Sequence, residues 1–182
     1  MRRLLAVSLA ALAVAAGAGC GNKQGIVQSA DNEGIYVDVG PLVYQVQISR
    51  YLNPADPEDR TYLKGVPTGV APGPKETWFA VFMRVQNYTK QPQTPTGDFE
   101  ITDTQRNLYR PVPLDANANP FAYTTAPLGP GAVLPLADTV AFNSPTQGAL
   151  LLFKIKIESI QNRPLEMRIS GANQSAVINL DV

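Results

Sequence analysis

The side chains with chemistry to offer are a few close-set carboxylates and one cysteine. Asp115-Ala116-Asn117-Ala118-Asn119 opens like a calcium loop, with oxygens at the first, third and fifth places. The pattern then breaks: Pro120 stands where the turn needs glycine, and Ala126 where a glutamate should close the loop. An asparagine-rich surface turn is the better reading. Asp56, Glu58 and Asp59 could bind a divalent cation, but a helix start explains them without one. Asp98, Glu100 and Asp103 raise the question of paired carboxylates for acid–base work. Their places in the chain read as a turn, a strand's solvent face and a strand end. Asn87-Tyr88-Thr89 and Asn173-Gln174-Ser175 fit a glycosylation pattern. Histidine is absent and Cys20 is the only cysteine. Ser-His-Asp and Cys-His mechanisms are thereby excluded, as are the usual zinc and copper sites and any internal disulfide. Nothing here implies a metal or a cofactor.

Cys20 sits at the end of a targeting pattern. Arg2-Arg3 is a basic start, Leu4 to Ala16 is an apolar run, and Gly17-Ala18-Gly19 are small. The run is too short to span a bilayer, which needs about 20 apolar residues. Ala18-Gly19-Cys20 resembles a lipobox, in which the cysteine is acylated; Gly17 departs from the leucine usual there. Cleavage after Ala18, leaving Cys20 as a free thiol, is the alternative, but such a thiol is a liability in an oxidising compartment. Bacterial lipoprotein modification adds a diacylglyceryl group, and two chains anchor durably where one does not. Residues 1–19 are therefore expected to be a signal peptide. The Arg2-Arg3 pair leaves export by the general or the twin-arginine route open. Residues 20–33 read as a lipid-anchored flexible tether, with a root-mean-square reach of about 20 Å. The expected place is the outer face of the bacterial cell membrane, or the outer membrane if one is present.

Beyond Glu33 the hydrophobic period is two, as in strands. Leu42, Tyr44, Val46 and Ile48 form one apolar row. Leu151, Phe153, Ile155 and Ile157 form another, with Lys154, Lys156 and Glu158 outward, and Leu165, Met167 and Ile169 a third. Asn162-Arg163-Pro164 reads as a hairpin-like link between the last two. Further strands are expected over 35–39, 99–102, 108–112, 133–142 and 177–182. Trp78 to Asn87 is apolar on both faces at its start: Phe79, Val81, Met83 and Val85 on one, Trp78, Ala80 and Phe82 on the other. That pattern predicts a central strand covered twice. One helix is expected, with Asp56 as N-cap, Pro57 at N1, Lys64 in the last turn and Gly65 just past it. It lies in a long connection, Asn53 to Lys75, rich in proline and glycine. A segment of that composition is expected to bury little surface. The sum is an all-β, immunoglobulin-like antiparallel β-sandwich of about eight strands over 34–182, with one short helix in a long loop.

In order and spacing the body resembles the telokin-like, immunoglobulin-fold domains of uncharacterised bacterial lipoproteins. The residues that carry the resemblance are Gly40-Pro41-Leu42-Val43-Tyr44-Gln45-Val46, the Trp78 to Asn87 strand, Phe99-Glu100-Ile101-Thr102-Asp103 followed by Tyr109, Leu128-Gly129-Pro130-Gly131, and Val140 to Pro145. The resemblance implies a fold and a place, and supplies no catalytic residues.

Trp78 and Phe82 are the residues on which function turns. If their face is covered they are core; if it is open, two large aromatics make a contact site for a partner or ligand. The formal net charge is zero and both signal arginines precede the mature part, so the domain is slightly acidic and carries no footprint for nucleic acid. The expectation is a non-enzymatic interaction module of the cell envelope, contacting an envelope protein or polymer. A carrier for an apolar small molecule is the alternative, and an enzyme using carboxylates or a Ser-Lys pair a third, for which no motif stands out.

Overall fold

The computed structural model describes residues 25–182. The expected signal segment, Cys20 and the first part of the expected tether lie outside the described residues. Two sheets face each other. One carries the order β1 (Ser29–Ala30), β11 (Ser175–Leu180), β10 (Leu165–Ser170), β5 (Asp98–Thr102), β6 (Leu108–Tyr109). The other runs β2 (Val37–Val39), β3 (Leu42–Leu52), β4 (Glu76–Asn87), β9 (Ala149–Lys156), β7 (Pro111–Val112), with β8 (Val133–Leu134) also on β4. All pairings are antiparallel except β1 with β11. The expected immunoglobulin-like sandwich is present, with more and shorter strands than the patterning suggested.

The inter-sheet core collects the inward rows: Leu42, Tyr44 and Val46 of β3, Phe79, Val81, Met83 and Val85 of β4, Leu151, Phe153 and Ile155 of β9, and Leu165, Met167 and Ile169 of β10. Tyr44 also joins the sheets by a polar contact, its hydroxyl accepting the Thr96 N–H at 2.9 Å just before β5. β4 lies inside its sheet, between β3 and β9, and its second apolar face is covered as well. β3 departs from simple alternation. A bulge between Val46 and Ile48 reverses its phase, so that Ile48 points away from the core and is exposed. The same reversal delivers Leu52 to the outer face beside Trp78, its partner in register.

Several boundaries differ from expectation for local reasons. Only Val133–Leu134 of 133–142 pairs as a strand, because Pro135 has no N–H to continue the ladder. Thr139 then caps a short helix, α2 (Val140–Asn143), accepting the Phe142 N–H. The 108–112 strand is two strands: Leu108–Tyr109 pairs with β5 and Pro111–Val112 with β9, so the chain changes sheets at Arg110. Asn162-Arg163-Pro164 is no hairpin. With the 3-10 helix Ile157–Ile160 it carries the chain from β9 in one sheet to β10 in the other. Part of the expected tether belongs to the domain. Ala30 is buried in β1, and Glu33 accepts the backbone N–H groups of Ser49 and Asp181, tying β3 to the C-terminal strand.

β9 approaches β4 closely because Gly148 precedes it. A Cβ at that position would lie 2.7 Å from the Phe82 carbonyl carbon and 2.8 Å from the Phe82 Cβ. Gly148→Ala should therefore cost about 1–3 kcal/mol of stability by overpacking. Urea unfolding should show a lower midpoint with an unchanged slope; an unchanged midpoint would mean the two strands yield without cost.

Candidate functional site

The outer face of the six-stranded sheet is where a ligand or partner face was expected. Trp78, Ala80 and Phe82 from β4 meet Leu150 and Leu152 from β9 and Leu52 from β3. Left bare, this face would be a broad sticky patch. It is not bare. α1 (Pro57–Tyr62) drops Tyr62 onto it, the 119–122 turn adds Phe121, and α2 adds Ala141. The Tyr62 ring stands edge-on to Phe82 at 5.0 Å and to Phe121 at 4.8 Å between centroids, the tilted geometry aromatic quadrupoles favour. Trp78 is 5% exposed and Phe82 is fully buried. Both are interior residues here, so the open-face alternative is not what the structure shows. The long connection also differs from expectation: besides Tyr62 it lends Leu63, Val66 and Val70 to the cluster.

The helix forms as its capping residues dictate. The Asp56 carboxylate accepts the N–H groups of Glu58 at 2.8 Å and Asp59 at 3.1 Å, and Pro57 fills a position where no donor is needed. Asp59 does something its place in the sequence did not suggest. It is buried, pairs with the Arg50 guanidinium and accepts the Asn53 N–H at 2.7 Å. Arg50 in turn lies 5.6 Å from the Tyr62 ring centroid. Asp56 is thus spent on capping the helix and Asp59 on fixing it to β3. At the other end of the helix Asn119 takes over. It is 1% exposed, and its amide donates to the carbonyls of Tyr62 and Lys64, both at 2.9 Å, while its oxygen accepts the Phe121 N–H. These are carbonyls a helix end leaves unpaired. The Asp115–Asn119 turn points its buried asparagine inward at the protein, and Asp115 accepts the Asn117 N–H within the turn itself.

The third acidic group does not converge either. Asp98 is exposed at the start of β5, and Glu100 pairs with Arg110 on the sheet's outer side. Asp103 turns inward. It accepts from the backbone N–H groups of Gln105 and Asn107, the Asn107 amide, the Ser159 hydroxyl at 2.7 Å and the Asn162 amide. Burial alone would raise its pKa, but these donors outweigh burial and hold it at about 2. It binds the β5 end to the 3-10 helix that connects the sheets. Asn87 is the matching hub at the far end of β4: fully buried, it donates to the carbonyls of Gln91, Leu128 and Gly129. Both hubs were legible in principle. Asp103 continues the inward row of Phe99 and Ile101, and Asn87 that of Met83 and Val85. Asn119 stood out in the sequence only as part of a surface turn, and nothing there pointed to its inward role at the end of α1.

Two clefts open at the surface beside these elements. One of about 550 Å³ borders the cover, between Glu58, Tyr62 and Phe121 on one side and Asp138, Val140 and Pro145 on the other. A larger groove, of about 850 Å³, lies at the root of the domain against β2.

No family model and no curated protein matches the chain. Among solved structures, the yjhA protein from Bacillus subtilis aligns over 83% of this chain and 99% of its own, at 10% identity and a TM-score of 0.49. An uncharacterised β-sandwich protein from Clostridium difficile 630 aligns over 85% and 96%, at 9% identity and 0.47. A conserved hypothetical protein from Bacillus anthracis aligns over 79% and 86%, at 13% identity and 0.43.

Two measurements follow from this geometry. Trp78 is the only tryptophan, so its emission reports on the cover. Replacing residues 66–73 by a short link should shift the emission to the red while the strand signal in circular dichroism stays; an unmoved emission would show that this stretch does not shield Trp78. The Asp103 pKa lies below its unfolded value of 3.8. Its contribution is therefore complete above about pH 4 and is lost as pH falls through about 2, amounting to about 2 kcal/mol. Asp103→Asn should be less stable than the parent by about that much at neutral pH, with the gap closing as acid protonates Asp103 in the parent; a gap constant in pH would refute the assignment.

Proposed function

We propose that this chain is an exported lipoprotein whose immunoglobulin-like domain, of the telokin-like kind, is held by a lipid on Cys20 at the outer face of a bacterial membrane and acts there as a non-enzymatic binding module. The observation that carries this reading is Ala18-Gly19-Cys20 at the end of a short apolar run, placed directly upstream of a β-sandwich. The fates of the carboxylates support it. Asp56, Asp59 and Asp103 each serve as acceptors for structural donors, and Glu100 pairs with Arg110. A protein or polymer of the envelope is the partner class that a tethered sandwich suits. A carrier of an apolar small molecule would have to lift Tyr62 and Phe121 off Phe82, because those rings already occupy the outer face in mutual contact.

The test joins anchoring to partnership. Cys20→Ala should move the protein from the membrane to the soluble exported fraction. Cross-linking in intact cells should capture an envelope partner with the parent and lose it, or much of it, with the variant. A parent that is already soluble, or whose mass shows no acyl group, overturns the reading.

A further inference from the structure

The groove at the root of the domain has the chemistry of a membrane-contacting surface. Val27, Ile35, Tyr36, Pro41, Val43 and Tyr88 line it, with Asp38 as its only charged lining residue. Asp38 is already engaged: its carboxylate accepts the Val27 N–H at 2.8 Å, and its own N–H donates to the Val27 carbonyl at 2.7 Å. Tyr88 is 64% exposed, and Val27, Ile35 and Tyr36 are exposed as well, with Ile26 beside them at 68%. Large apolar side chains exposed singly are ordinary; a corner that gathers this many marks a contact surface. Aliphatic side chains beside tyrosines, whose rings are apolar and whose hydroxyls are wet, match the boundary between headgroups and acyl chains.

Chain length decides what lies against this corner. The two hydrogen bonds to Asp38 pin Val27 to the domain. Only seven residue steps separate Val27 from Cys20, a span of at most about 25 Å. Any lipid on Cys20 therefore holds the groove close to the bilayer, where even a weak contact is met at high effective concentration. The opposite end of β4, where the Ile157 N–H meets the Lys75 carbonyl at 2.9 Å, lies about 36 Å away along the strand.

We propose that the Tyr36–Tyr88 groove docks on the bilayer interface, seating the domain root-down and presenting the far ends of β4 and β9 to the envelope. The proposal rests on the acylation of Cys20 put forward above. Acylation occupies the only native thiol, so a single introduced cysteine can carry a spin label. The acylated full-length chain with Tyr88→Cys, Tyr36→Cys or Ile157→Cys is reconstituted in phosphatidylethanolamine–phosphatidylglycerol vesicles. Collision with oxygen and with a water-soluble nickel chelate is then measured at each label. Labels at 88 and 36 should lose access to the nickel chelate and gain oxygen contact on the vesicles, whereas the label at 157 should stay open to nickel. If 88 and 36 are as open to nickel as 157 in protein whose mass shows the acyl group, the docking is wrong and the anchor stands. Mutual broadening of labels at 88 that vanishes on dilution with unlabelled protein would overturn it in favour of a second copy on the groove. A mass without acyl groups would overturn the anchor and the docking together.

Discussion

A strand that is apolar on both faces must be covered on both faces, and β4 imposes that demand on the whole molecule. Its Phe79, Val81, Met83 and Val85 row requires the opposing sheet, and its Trp78, Ala80 and Phe82 row requires something else. The second cover is assembled from connections: α1 and the chain after it, the 119–122 turn, and α2. At roughly 1.5–3 kcal/mol for each large apolar side chain taken from water, this outer cluster is a substantial second core. The long connection between β3 and β4 is thus a layer of the fold, and its short helix exists to aim Tyr62 at Phe82.

A cover made of loops needs its backbone polar groups satisfied, because burial leaves no water to do it. Buried polar side chains meet that need. Asn119 takes the carbonyls at the end of α1, Asp59 joins the same helix to Arg50 and the Asn53 N–H, and Asn87 holds the turn carbonyls beyond β4. Asp103 does likewise where the chain crosses between sheets. The carboxylates that looked like raw material for catalysis or metal binding are in large part these structural acceptors. Their low exposure and full sets of donors come from the same requirement that buried charge be paired or hydrogen-bonded.

The outer face at Trp78 and the corner at Tyr36 and Tyr88 differ in exposure. Around Trp78 and Phe82 the apolar surface is hidden, while around Tyr36 and Tyr88 it is left facing outward. Part of the expected tether joins the sandwich, through Ala30 in β1 and through Glu33.

By itself the sequence determined the sheet-forming segments, the double-sided character of Trp78 to Asn87 and the capped helix start at Asp56-Pro57. These are local properties: side-chain period, capping chemistry and the fixed geometry of proline are readable within a few residues. Tertiary structure alone decided the rest. The bulge after Val46 appears only when β3 is paired with β4, and the reassignment of Ile48 and Leu52 follows from it. The split of 108–112 between two sheets depends on which edges lie nearby. Whether Trp78 and Phe82 face a partner or the interior depended on where Tyr62 and Phe121 arrive from elsewhere in the chain. No periodicity records that, because contacts between distant segments are set by packing in three dimensions rather than by the spacing of residues along the chain.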